Sequence, residues 1–367
     1  MNKKIKILQV IGSLHIGGAE NTVMNFARYI DKDYFQCDFL VFGKDVGQYE
    51  KEAVELGSRV IHIPHPSKGY INYMRNLKEI LIKGKYDVVH AHTLLSNGLT
   101  LKVAYDCNIR KRISHSHSTD SGRKENIVYK LYKIIMKKLI QKYATDFFSC
   151  GKEAGEFLYG EKLFRKSGKI INNGIVIKNY VFDEKKREKV RQIFGLDKQL
   201  VIGHIGRITA AKNHEFLIEI FYELHRLRKN TKLLIVGDGE LRPLVENKIK
   251  DLDLEDSVII TGMRTDVVDI LQAIDIIVFP SLYEGFPVAM IEAQAAGVPC
   301  IVSKNITTQV KITELVNFLS LQENASIWAT KILELEKVKR INKSKELIEK
   351  GFDIFSTINL LENLYEN

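Results

Sequence analysis

Short apolar runs alternating with helically spaced segments limit this chain's fold more than any other feature. Residues 5–11, 37–42, 60–63, 88–91 and 147–150 form such runs in the first half, and 200–205, 233–236, 258–261, 274–279 and 299–302 form them in the second. Between them, Val23, Phe26, Ala27 and Ile30 follow i, i+3, i+4, i+7 spacing, and so do Leu217, Ile220, Phe221 and Leu224. Strands that are apolar along their whole length are covered on both faces, which calls for parallel sheets with helices on either side. The alternation restarts near residue 200, and 367 residues are enough for two domains. The expected fold is therefore α/β, with two doubly wound Rossmann-like parallel-sheet domains facing each other across a cleft. The expected boundaries are 1–180 and 181–345, with a terminal helix in 346–367 packing back toward the first domain. Ligands of doubly wound sheets bind beyond the carboxyl ends of the strands, which directs attention to the strand-to-helix loops.

Composition removes several other classes. A hydrophobic fraction of 45% excludes intrinsic disorder. The four cysteines, Cys37, Cys107, Cys150 and Cys300, contain no C-x-x-C pair, so neither a disulfide framework nor a zinc module is expected. The amino-terminal apolar run is interrupted by Lys6 and Gln9, too short for a secretory core, and no run approaches the ~20 apolar residues of a membrane span. A cytoplasmic protein is expected, either free or peripheral at the inner face of the cell membrane. Residues 1–180 hold 30 Lys+Arg against 17 Asp+Glu, whereas the remainder holds 25 against 28. That asymmetry fits either an anionic partner for the first domain or an ordinary lysine-rich surface. The charge is diffuse, with no aromatic-basic stripe, so nucleic acid is not expected as a partner.

Three loops carry candidate chemistry. Gly17 and Gly18 precede an amphipathic helix, where backbone can approach a ligand and a helix N-terminus favours an anion; a plain turn reads equally well. The dinucleotide fingerprint G-x-G-x-x-G is absent there. Gly206-Arg207 and Lys212 set two cations five residues apart on one loop, suited to adjacent phosphates or simply solvated. The strongest signal is Glu284-Gly285-Phe286-Pro287 followed, in an apolar helix, by Glu292. A carboxylate among Val288, Ala289, Met290, Ile291 and Ala293 is costly unless it accepts hydrogen bonds, as from a ribose diol. Asn173-Gly174 is expected to close a strand in a turn, since that pair tolerates positive φ.

In these residues the chain resembles retaining glycosyltransferases of family 4, which have the GT-B fold, and more narrowly those of bacterial capsule or exopolysaccharide assembly. The resemblance rests on the order of Gly-Gly-Ala-Glu at 17–20, Asn-Gly at 173–174, Gly-Arg with Lys212, Val-Gly-Asp-Gly at 236–239, Thr-Gly at 261–262, Glu-Gly-Phe-Pro at 284–287 and Glu-Ala-x-Ala-x-Gly-x-Pro at 292–299. It implies that Arg207 and Lys212, on the Gly206 loop, hold the donor diphosphate, and that Glu284 contacts sugar hydroxyls. Gly285, Phe286 and Pro287 would line the sugar and diphosphate, Glu292 would accept from ribose, and Gly17 and Gly18 would approach the phosphates. Gly262 and its neighbours would lie near the base, Gly237 would bind substrate, and His117, in Ser-His-Ser-His-Ser, would lie near the transferred sugar. The implied reaction moves a hexose or N-acetylhexosamine from a nucleotide-diphosphate sugar, UDP-linked, to a lipid-linked or other glycan acceptor.

No cofactor and no metal are expected. Asp251-Leu252-Asp253 sits in a charged stretch and reads as a solvated helix end rather than a metal-binding element, and His115 with His117 lacks a third ligand in local spacing. His90 and His92 suit a structural or acceptor-side role. The segment from Arg123 to Lys138 interleaves apolar and basic residues, fitting either a buried helix with solvated lysines or one lying on anionic lipid. Two other functions share these motifs: a sugar-nucleotide epimerase, and a non-catalytic partner of a second transferase.

Overall fold

The computed structural model describes residues 3–118 and 126–367. Thr119 and Arg123, Lys124 and Glu125 of the basic segment lie outside the described residues. The chain divides into two compact units, Met1–Gly174 with Ile354–Asn367, and Ile175–Asp353.

The first unit is built on strands β1 (Ile5–Val10), β2 (Phe35–Phe42), β3 (Val60–Ile63), β4 (Val88–Ala91), β5 (Lys111–Ser116), β6 (Asp146–Ser149) and β7 (Gly168–Ile170). Their order is β3-β2-β1-β4-β5-β6-β7, and every pairing is parallel. The reversal of strand order at β1 and β4 is the switch point of a doubly wound sheet, where helix N-termini and loop backbone open to a ligand. Leu8, Val10, Leu40, Val89 and Ala91 supply the sheet's share of the core, which Tyr73, Leu77, Leu101 and Ile140 cover from the helices.

The second unit repeats the plan with β8 (Leu200–Ile205), β9 (Thr231–Val236), β10 (Val258–Ile260), β11 (Ile276–Phe279), β12 (Cys300–Ser303) and β13 (Val316–Leu319) in the order β10-β9-β8-β11-β12-β13, again all parallel. β8, β11 and β12 are buried throughout, as their predominantly apolar sequences require.

The division falls earlier than the expected boundary at residue 180. Ile175, Ile177 and Tyr180 pack in the second unit's core, and Ile175 N donates to Phe352 O at 3.0 Å. Residues 346–353 likewise belong to the second unit, with Leu347 and Phe352 in the same core. Only the helix Ile354–Glu366 returns to the first unit, where Phe355 meets Tyr29 edge-on at 5.6 Å. Gly174 does not adopt positive φ. Its lack of a side chain serves close approach, because a Cβ there would lie 2.6 Å from Thr357 Oγ1 and 2.9 Å from Ile354 Cα.

Candidate active site

In the second unit, the loops after β8 and β11 bring two expected residues, Lys212 and Glu284, together with an unexpected one, Ser281. Lys212 and Glu284 form an ion pair, both side chains mostly buried. Ser281 Oγ donates to the same Glu284 oxygen at 2.9 Å. The Lys212 ammonium also sits 5.1 Å from the centre of the Phe279 ring. The two loops are sewn together by backbone, Leu282 N donating to Ala211 O at 2.8 Å, and by Asn213 Nδ2 donating to Pro280 O at 3.1 Å. Asn213 holds φ of 56°, a left-handed conformation that asparagine tolerates. Arg207 is exposed and makes no ion pair among the described residues, leaving its fork of donors to solvent.

Glu292 lies at the fifth position of the helix Val288–Ala295, which Pro287 caps. Burial raises its carboxyl above the ordinary range, and a hydrogen bond from Tyr180 Oη to Oε1 at 2.8 Å opposes that rise. Phe286 turns inward, its ring parallel to Phe352 with centres 5.7 Å apart. Asn305, in the polar turn after β12, donates through Nδ2 to Leu282 O at 3.1 Å and so braces the Glu284 loop.

The expected glycines have a packing reason of their own. A Cβ on Gly237 would lie 2.0 Å from Gly206 O, and Gly237 pairs with Gly262 in an isolated antiparallel bridge. All three hold positive φ: 157° at Gly206, 149° at Gly237 and 70° at Gly262. Backbones of three strand-end loops thus touch where side chains would separate them. Behind Lys212 lies a pair that sequence reasoning missed: His204 donates through Nδ1 to Val278 O at 2.9 Å and meets His214 edge-on. Burial pushes His214 down to about 4 and His204 well below its usual value, with Lys212 contributing to both. Asp251 ends the helix Arg242–Asp251, and both it and Asp253 are exposed.

In the first unit, Gly17 caps the helix Gly18–Tyr29. A Cβ on Gly17 would meet only the carboxylate end of Glu20, and one on Gly18 would meet nothing within 4 Å. Four imidazoles, from His90, His92, His115 and His117, form a packed array. Ring centres lie 4.2 Å apart along each strand, and Phe26 stacks on His90 and His115. His90 Nε2 meets His115 Nδ1 at 3.1 Å, and His92 Nδ1 meets His117 Nε2 at 2.8 Å. Burial holds His117 down at about 4 and the other three well below the usual histidine range, so all four are neutral near pH 7. Ligating nitrogens of His90, His92 and His115 all lie within 4.8 Å of one another, the density of a metal site. The near-coplanar His90 and His115 rings nevertheless face each other through a hydrogen bond, and a metal between them would need that bond broken.

Beside this array is a cavity of about 930 Å³ lined in part by Gly12, Glu20, Lys44, His62, Lys68 and His92. Nothing in the sequence marked it, because its walls come from four separate loops. His62 faces acceptors with both ring nitrogens, Glu50 Oε2 at 2.9 Å and Gly43 O at 3.1 Å. The Glu50 carboxylate raises the His62 pKa above its ordinary value by favouring the charged ring.

Two doubly wound parallel sheets, with cations and a braced carboxylate on the second unit's strand-end loops, define the GT-B class of glycosyltransferase. The profile described as Glycosyltransferase Family 4 matches residues 16–175, and that described as Glycosyl transferases group 1 matches residues 186–353. EpsF of Bacillus subtilis (strain 168) is 31% identical over 368 residues, 98% of this chain and 96% of its own length. The Staphylococcus aureus capsular polysaccharide biosynthesis glycosyltransferase CapH is 27% identical over 98% of both chains. The crystal structure of Anabaena HepE in complex with UDP-glucose superposes with a TM-score of 0.83 at 18% identity, covering 99% of this chain and 100% of that one, a likeness of fold. The chain belongs to glycosyltransferase family 4 and is a glycosyltransferase.

Proposed function

We propose that the enzyme moves a hexose or N-acetylhexosamine from a UDP-linked sugar to a lipid-linked glycan in capsule or exopolysaccharide assembly, with retention of configuration and without a metal. The observation that carries this reading is the Lys212–Glu284 pair, a mostly buried cation and a carboxylate braced by Ser281 on adjoining strand-end loops. As the anomeric C–O bond breaks, negative charge grows on the departing diphosphate, where Arg207 and Lys212 would stabilise it. Glu284 would take sugar hydroxyls, and Glu292 the ribose diol alongside Tyr180. The capsular role is supported by CapH's name. The UDP donor and lipid diphosphate acceptor are supported by an Escherichia coli relative, 28% identical over 79% of this chain, named UDP-Gal:alpha-D-GlcNAc-diphosphoundecaprenol alpha-1,3-galactosyltransferase. A thermal-shift panel of nucleotide-sugars, followed by transfer assays with and without chelator, tests it. A UDP-sugar should raise the melting temperature, and transfer should survive excess chelator. Conversion of donor to an isomer without acceptor would point instead to an epimerase, and absence of any donor binding to a non-catalytic subunit.

The acceptor side would be the first unit's cavity, whose Lys44, His62 and Lys68 suit a phosphate. Peripheral membrane contact is proposed through the helix Ile127–Tyr143. Ile127, Val128, Leu131, Ile134 and Ile135 are exposed on it as one stripe at i, i+1, i+4, i+7, i+8 spacing, with exposed Lys130 and Lys138 alongside. An apolar stripe with flanking lysines matches an anionic bilayer surface. Among the described residues no helix is long and apolar enough to cross a membrane. Co-sedimentation with vesicles should require anionic lipid and weaken with salt; binding indifferent to both would remove the membrane contact.

A further inference from the structure

We propose that Gln9 is a positioning residue that sets the tautomers of His117 and His115 through two hydrogen-bond relays of opposite polarity. His117 Nδ1 is thereby presented as an acceptor and His115 Nε2–H as a donor. The inference deepens the reading of His117 as a sugar-contacting residue, and rests on that reading only for its consequence in catalysis.

Gln9 is buried on β1, in register with His90 on β4. Its amide has two ends, and each is engaged. Oε1, which can only accept, lies 2.8 Å from His92 Nε2, so that nitrogen carries the proton. A neutral imidazole has one donor and one acceptor, so His92 Nδ1 accepts from His117 Nε2–H at 2.8 Å. His117 Nδ1 is then left with its lone pair. At the other end, Gln9 Nε2 donates to Tyr365 Oη at 3.3 Å. The single Tyr365 proton goes to His90 Nδ1 at 2.8 Å, and His90 Nε2–H donates to His115 Nδ1 at 3.1 Å. His115 therefore ends its relay with a proton on Nε2.

The two terminal atoms, His117 Nδ1 and His115 Nε2, are buried side-chain atoms with no hydrogen-bond partner among the described residues. Such atoms are costly inside a protein unless something outside the described chain satisfies them, and a sugar hydroxyl would satisfy the His117 acceptor. Their burial, and that of His90 and His92, disfavours the charged imidazolium and holds the relays in one protonation state. The neighbouring Cys37 thiol, pushed up to about 12 by burial, adds no charge. The polarity selects chemistry: His117 Nδ1 takes a group that donates a proton, such as a sugar hydroxyl, and rejects a fully ionised phosphate oxygen, which only accepts.

Nitrogen-15 NMR of histidine-labelled full-length protein at pH 7 reads the tautomers directly. All four rings should carry their proton on Nε2. Gln9→Leu should mix the tautomers of both pairs and lower kcat about tenfold, a fraction of the roughly 10²–10⁴-fold that a positioned acid or base supplies. Gln9→Glu keeps an acceptor for His92 and should restore the single His117 tautomer while releasing His90 and His115. Tyr365→Phe should release the same two rings and leave His117 unchanged, which keeps the test open if Gln9→Leu folds poorly. Protons found on Nδ1 of His117, or a Gln9→Leu spectrum like that of the parent, would overturn the proposal. Tautomers that respond as described, in a protein that transfers no sugar, would leave the relays standing and remove the functional reading instead.

Discussion

Tyr180 and Glu292, 112 residues apart, meet in one hydrogen bond of 2.8 Å that opposes the effect of burial on the carboxyl group. Because burial wins, folded Glu292 holds its proton more tightly than the unfolded chain does. Its contribution to stability is therefore lost as pH rises from about the ordinary 4.5 through the raised folded value. Tyr180→Phe removes the opposing bond, so the loss should extend to higher pH and deepen by about 1.5–3 kcal/mol, the worth of a hydrogen bond to a charged group. Urea denaturation of both proteins between pH 4 and 8 reads this, and parallel curves would contradict it. Glu292→Gln should raise the donor KM by about tenfold, equivalent to ~1.4 kcal/mol, with little change in kcat.

Lys212 and Glu284 separate stability from chemistry. Removing either partner leaves a mostly buried, uncompensated charge, so Lys212→Ala should cost about 3 kcal/mol in stability. Lys212→Met with Glu284→Met should recover most of that loss, as an apolar pair of similar size. Transfer should not recover, since kcat without the leaving-group cation should fall by about 10²–10³-fold. Melts and initial rates of the three variants check the pair, and activity returning with stability would assign it a structural role alone.

Much of this was legible along the chain. Continuous apolar runs are buried on both faces, and β8, β11 and β12 have that form. β13 escaped notice because an edge strand of four residues, only Val316 of it buried, carries no pattern. The unit boundary was displaced because Ile177 and Tyr180 look like linker until the second core they pack in is seen. Lys212 and Glu284 were recognisable as residue types; that they pair with each other was not, since nothing local encodes a contact across 72 positions. Gln9 read as a flaw in an apolar strand, and its partner Tyr365 lies at the far end of the sequence.

His62 should titrate above its ordinary 6.5 because the Glu50 carboxylate favours its charged form. A histidine raised in the folded state contributes stability that is fully present below the unfolded pKa and is lost as pH rises through the folded one. Glu50→Gln should bring the His62 midpoint, followed by proton NMR, down toward 6.5. If the cavity takes a phosphate-bearing acceptor, the acceptor KM should rise through the same window. A midpoint unmoved by Glu50→Gln would deny the carboxylate its role.

Alanine at Gly18 and at Gly237 should have opposite effects on the fold. At Gly237, alanine would place a Cβ 2.0 Å from Gly206 O on a backbone with φ of 149°, so both overlap and strain oppose it. Gly237→Ala should destabilise the protein by about 2–6 kcal/mol, summing overpacking and an unfavourable φ. At Gly18, the first residue of its helix, a Cβ meets nothing within 4 Å and φ is not positive. Alanine there costs the fold nothing and should stabilise it by up to about 1 kcal/mol through lower unfolded-state entropy. If a diphosphate approaches this backbone, the same methyl group obstructs it, and Gly18→Ala should raise the donor KM while the melting temperature holds or rises. A Gly18→Ala enzyme with parental kinetics would mean that no ligand comes close at this helix end, and the donor contact would belong to the second unit's loops alone.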